Sequence, residues 1–262
     1  MRTSLLIVAL MGAALAQQPP KQPSPKSQKE LDAILAIQNA QDPDGRIKAA
    51  EDLLAKFKDT EFKEFALQME TLSHQQKNDF DNMIIVGERT LEVNPENVVV
   101  LIALATAIPQ RTREHDLDKE EKLGKAETYA VKAQKLIPNL PKFNPSIPDD
   151  DWTGYKKSAM SQAHEAIGMA AFVRKNYPKA EEAFKAAAEV SPQPEPTILY
   201  RLGMVYNAQG KYDEAIAALD KAIAAGGVKV GDRDLAADQK AAVQKAKAGA
   251  AKPAPQVEIK KQ

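Results

Sequence analysis

Three histidines, His74, His115 and His164, are the chain's only imidazoles, and it contains no cysteine. A metal held on one helix needs two ligands on one face, and no histidine here has another three or four residues on. Without cysteine there is no thiolate nucleophile, no sulfur-ligated metal and no disulfide. His115 stands among Arg113, Glu114 and Asp116 in a stretch that reads as a solvated loop. His164 falls on a predicted core helix as a packed or rim histidine. Gly203 to Lys211 looks at first like a phosphate loop. Six residues separate Gly203 from Gly210, too many for that motif, and Tyr212 stands where its hydroxyl ligand to the metal belongs. The stretch reads better as a turn between helices. No Gly-x-Ser-x-Gly elbow occurs. Asp149, Asp150 and Asp151, just before Trp152, are adjacent and lack the alternate spacing of a calcium loop, so they read as capping charges at a helix start. The expectation is a non-enzyme without cofactor or metal. The competing class is a hydrolase or ligand-binding protein that uses the His115 loop or the Pro-rich insertion that begins at Pro138.

The elements that would position any site are helical. Of 262 residues, 44% are hydrophobic and only 5% aromatic, with Ala, Leu, Glu and Lys abundant, which favours helices over sheets. The 36 Lys and Arg balance the 36 Asp and Glu, which gives no reason to expect a nucleic-acid partner. The 17 prolines crowd both tails and a segment from Pro138 to Pro148, and elsewhere punctuate Ala- and Leu-rich segments, as ends and turns of helices require. Val228 to Val230 is the one alternating strand-like stretch, and it is isolated. Val98 to Ile108 is the most apolar internal run, too short to cross a bilayer and suited to a buried helix.

Arg2, the apolar run from Leu5 to Ala16 and the Ala14-Leu15-Ala16 end have the three parts of a secretory signal. The expectation is cleavage after Ala16, an exported chain that is periplasmic or secreted, and no stable membrane anchor.

The chain repeats itself. Ile167, Gly168, Tyr177, Ala180, Phe184 and Ala187 match Leu202, Gly203, Tyr212, Ala215, Leu219 and Ala222 at an offset of 35 residues. Small residues stand where two helices would cross, and large ones face the next unit. This order resembles the tetratricopeptide repeat, although His164 and Leu199 replace its early Trp. Upstream, Phe80, Met83, Gly87, Thr90 and Pro95 keep the second-helix spacing. So do Ala126, Ala130, Ala133 and Pro138, and residues 31–57 read as a helical hairpin around a DPDG turn. The resemblance spans 28–227 and is specific over 161–227. It implies an all-α, right-handed superhelical solenoid of antiparallel helix pairs. The expected organisation is a signal peptide (1–16), a disordered Pro-rich segment (17–27), a hairpin and degenerate repeats (28–137) and a Pro-rich insertion with a helix start (138–157). Two well-matched repeats (158–227), a capping-helix region (228–250) and a disordered tail (251–262) follow.

In proteins of this family the first helix of each repeat lines a groove that holds a peptide or helix. The resemblance carries that role to Gln162, Glu165, Met169, Phe172 and Val173, then to Tyr200, Arg201, Met204 and Asn207, with Ile102 and Thr106 from the repeat before the insertion. A carboxylate-clamping set is missing, since only Arg201 is cationic among these. Met, Phe and Tyr imply an adaptable, mainly apolar groove. The expected function is a protein–protein interaction scaffold whose partner is another protein or peptide segment, with oligomeric state open. A narrower version, an envelope-assembly accessory factor, comes from Phe57, Thr60, Phe62 and Ala66, which look like a helix junction in periplasmic repeat proteins.

Overall fold

The computed structural model describes residues 23–250. The expected signal peptide, most of the Pro-rich segment after it and the tail from 251 lie outside the described residues. Among the described residues eleven α-helices follow one another. They are α1 (Gln28–Asn39), α2 (Pro43–Lys56), α3 (Lys63–Gln76), α4 (Phe80–Val93), α5 (Val98–Arg111), α6 (Lys119–Leu136), α7 (Asp149–Val173), α8 (Tyr177–Val190), α9 (Pro196–Ala208), α10 (Tyr212–Ala224) and α11 (Leu235–Ala250). Each helix packs mainly on its sequence neighbours, which makes an all-α solenoid of helix pairs with α11 laid on the last pair.

Helix starts follow local chemistry. Ser27, Asp42, Asp79, Asn97 and Asn176 each accept a hydrogen bond from a first-turn amide of the helix that follows. Such caps contribute about 1 kcal/mol each. Pro43, Pro178 and Pro196 sit in first turns, where no amide partner is lost. The turns within three pairs share one backbone device. Asn78 (φ 57°), Lys175 (φ 60°) and Gly210 (φ 74°) each adopt the left-handed conformation two residues before the second helix.

The repeat signature is a packing rule. A Cβ on Gly168 would lie 2.8 Å from the ring of Phe184, and one on Gly203 would lie 2.7 Å from Leu219 Cγ. Phe184 then meets Ile198, Leu202 and Val205 of the next pair. In the α3–α4 pair the roles change hands. Thr71 stands where the later repeat has Gly168, and its hydroxyl donates to the Leu67 carbonyl and lies 3.3 Å from Thr90 Oγ1. Gly87 gives its space to Leu104 of the next helix.

Two expectations are corrected and two others gain detail. Pro109 lies inside the last turn of α5, within the buried face, so the helix runs on to Arg111. Near a helix end the missing proline amide removes one bond without breaking the rest. Lys229–Val230 is not isolated: it pairs antiparallel with Arg233–Asp234 across a tight turn at Gly231 (φ 59°), and Lys229 Nζ lies 3.0 Å from Asp234 Oδ2. The three aspartates stand in the first turn of α7 as complementary charge, as expected, with Pro148 at the cap position and no side-chain capping hydrogen bond. Finally, α7 is 25 residues long, well over the first helices of its neighbours, because it starts at Asp149 inside the Pro-rich segment. Trp152 anchors that start. It is buried, its Nε1 donates to the Leu140 carbonyl, and it stacks on Tyr155 at 4.9 Å.

Among the described residues two buried carboxylates, Glu30 and Glu70, each keep one oxygen without a hydrogen-bond partner. Glu70 on α3 is 4% exposed, and its Oε2 has no hydrogen-bond partner. Burial pushes its carboxyl above the usual range, with Arg89 opposing and Glu51 adding to the rise. A carboxyl raised in the folded state stabilises below its unfolded value, and that contribution is lost as pH rises through the folded value. Glu70→Gln should therefore raise the urea midpoint at pH 7 and leave it unchanged near pH 4. An equal midpoint at both pH values would show that Glu70 is compensated.

Candidate interaction groove

The first helices α5, α7 and α9 place the expected groove residues. Two pairs of helical turns set the walls. Met169 and Phe172 project from the last turns of α7, and Tyr200, Arg201 and Met204 from the middle of α9. With Gln110 from the last turn of α5 they line a pocket of about 300 Å³ over the buried ring of Phe184. Met169 and Phe172 pack on the Phe184 cluster, Phe172 also lies 5.9 Å from the Tyr177 ring, and Tyr200 packs on the cluster around Leu219. These three wall residues are thus half-buried, with one side fixed on the core.

Gln162 and Glu165 line a second, polar compartment of about 270 Å³, next to the first along α7, with Ser158, Ser161, Glu195 and Thr197. The Glu165 carboxylate is ion-paired with Arg201. Burial pushes the Glu165 carboxyl up, Arg201 opposes, and Glu195 raises it further. The one cation expected in the groove is therefore already neutralised.

Four expected residues stand elsewhere. Ile102 is 6% exposed and packs with Val98, Ala133, Ala159 and Ala163. α7 lies across it through Ala159 and Ala163, so it is core and not groove wall. Thr106 is half-buried, and its hydroxyl donates back to the Ile102 and Ala103 carbonyls, which leaves it no donor for a ligand. Val173 and Asn207 are half-buried at the ends of α7 and α9, beyond the residues that line the two compartments. Gln110, Glu195 and Thr197 went unread in the sequence. Gln110 had a signal: it continues the face of Ile102 and Thr106 at the helical i+4 step.

The histidines do not converge. His74 Nδ1 lies 3.0 Å from Asp79 Oδ2 within one pair, His164 Nδ1 lies 3.1 Å from Gln134 Nε2, and His115 is exposed in the loop before α6. Burial pulls the His164 imidazole below its usual range. Among the described residues no three His, Asp or Glu side chains gather as metal ligands would, and no helix is long and apolar enough to cross a membrane.

Residues 165–228 match the family model described as tetratricopeptide repeat. These residues carry tetratricopeptide repeats, and helix pairs of similar architecture precede them in the fold. The structure is similar to that of a thermophilic TPR protein of Thermus thermophilus, TTC0263, with a TM-score of 0.51 and 17% identity over 84% of this chain and 99% of that one. It is also similar to MamA from Desulfovibrio magneticus RS-1, with a TM-score of 0.56 and 13% identity over 76% of this chain and 96% of that one. At such identities the likeness is one of fold. No curated protein matches the chain by sequence. A fold of this class supports a protein–protein interaction scaffold.

Proposed function

We propose that the chain is an exported, non-enzymatic scaffold that holds a segment of another protein in the crevice between α7 and α9. The observation that carries this reading is the convergence of Met169, Phe172, Tyr200 and Met204 on one pocket. Flexible thioethers beside aromatic rings, backed by core, make a wall that adapts at the surface and stays fixed beneath. The pairing of Arg201 with Glu165 argues against capture of a partner's carboxylate. Export, to a periplasmic or secreted location, rests on the signal-like first 16 residues. The narrower role in envelope assembly rests on Phe57, Thr60, Phe62 and Ala66 at the α2–α3 junction, where Ala66 is fully buried and Phe57 and Phe62 pack beside it.

The test is capture of a partner from envelope and secreted fractions by the full chain, repeated with Met169→Glu/Phe172→Glu. A partner held by the first and not the second supports the groove. The natively expressed protein should have an intact mass that begins at Gln17. The full Met1 chain in the cytoplasm would overturn export.

A further inference from the structure

The crevice has a second half whose chemistry the apolar reading leaves unused. Ser158, Gln162, Glu165, Glu195 and Thr197 line the polar compartment, and both of its charged groups are carboxylates. Glu165 is committed to Arg201, whose side chain lines the apolar pocket on the other side. The ion pair is thus the partition between the two compartments. Glu195 is exposed at the N-terminal end of α9, and no ion pair among the described residues includes it. Within the compartment two carboxylates stand against one guanidinium, which leaves it net negative; Lys221 lines the adjoining hollow on the other side of Glu195, and Glu195 is also the N-cap of α9. A partner's carboxylate placed there would meet like charge. A Lys ammonium or Arg guanidinium would meet its complement, with the Ser158 and Thr197 hydroxyls and the Gln162 carbonyl available as acceptors.

We infer that the crevice selects a partner segment carrying a basic side chain beside its apolar anchor, the basic group in the Glu165–Glu195 compartment and the anchor over Phe184. This rests on the groove reading and names the chemistry of its occupant. Along α7 the midpoint of Gln162 and Glu165 lies about 10 Å from that of Met169 and Phe172 at the helical rise per residue. An extended segment spans that distance in about three residues.

The probe is a set of short blocked peptides on a Gly/Ser background. Each carries two leucines and, three residues away, Lys, Ser or Glu. Full-length protein should retain the Lys peptide best and the Glu peptide least, with roughly tenfold between them, the scale of one partly desolvated charge pair. Glu195→Lys, on an exposed position, should reverse the order. Equal retention of all three, lost in Met169→Glu/Phe172→Glu, would overturn charge selection and leave the apolar groove standing. Retention that survives the double variant, or no retention of any peptide, would overturn both.

Discussion

Gly168→Leu should lower the free energy of unfolding by about 3 kcal/mol, while Gly124→Ala should raise it by about 0.5–1 kcal/mol. Both glycines lie in helix interiors, in α7 and α6, so helix propensity alone favours replacing either. Packing separates them. A Cβ at 168 would lie 2.8 Å from two atoms of the Phe184 ring, whereas one at 124 meets nothing within 4 Å. The ring cannot yield, because Phe184 is 0% exposed and held by Ile198, Leu202 and Val205 of the next pair. Leu at 168 must push two repeats apart or leave its rotamer. Urea denaturation of both variants checks this, and shifts of the same sign would show that Gly168 is not the contact that sets the helix spacing.

That contact is also why the later repeats were legible and the earlier ones were not. A glycine opposite a large side chain leaves a pair of letters at fixed spacing, and Gly168–Phe184 and Gly203–Leu219 repeat it. In the α3–α4 pair, the Thr71–Thr90 hydroxyl contact and the insertion of Leu104 at Gly87 solve the same close approach with other residues. The left-handed turn at Asn78, Lys175 and Gly210 is more uniform than any of these, yet three unlike residues adopt it. A backbone device filled by Asn, Lys and Gly leaves no common letter. The same holds for Val228 to Val230, where the partner strand, Arg233–Asp234, shows no alternation of its own.

The groove was half legible for a related reason. The helical period puts Met169 and Phe172, and Tyr200 and Met204, on one face each, and the repeat offset puts those faces together. Two features depend on pairs that no local pattern links. Arg201 is neutralised by Glu165, 36 residues away, so its charge is not on offer. Lys211, in what reads as an idle turn, reaches Glu181 at 2.7 Å and lies over the Tyr206 ring. With Lys185 as the first cause and Lys211 the next, the Glu181 carboxyl is held down at about 2. Ile102 was misplaced because no local pattern says that α7 packs across it through Ala159 and Ala163.

Met169→Glu/Phe172→Glu should abolish capture of the partner while the helical signal survives, with a lower urea midpoint because both side chains also pack on the Phe184 cluster. Both side chains are half-buried at the pocket wall, so in the free protein a carboxylate there can turn towards solvent. In the complex it cannot, and an unpaired buried carboxylate is costly. Tyr200→Ala is the second variant. It removes one wall without adding charge and should weaken binding without abolishing it. Since the anchors are apolar, calorimetry on the captured partner should give a negative heat-capacity change. Salt should matter little, with binding weakened less than about threefold between low and high salt, because a single basic group in a partly buried compartment is screened far less than a surface clamp. Steep weakening with salt would point to a contact made of surface charges. Full binding by the double variant would move the contact to the Pro-rich segment, where Phe143, 60% exposed, stands edge-on to Trp152 and Tyr155.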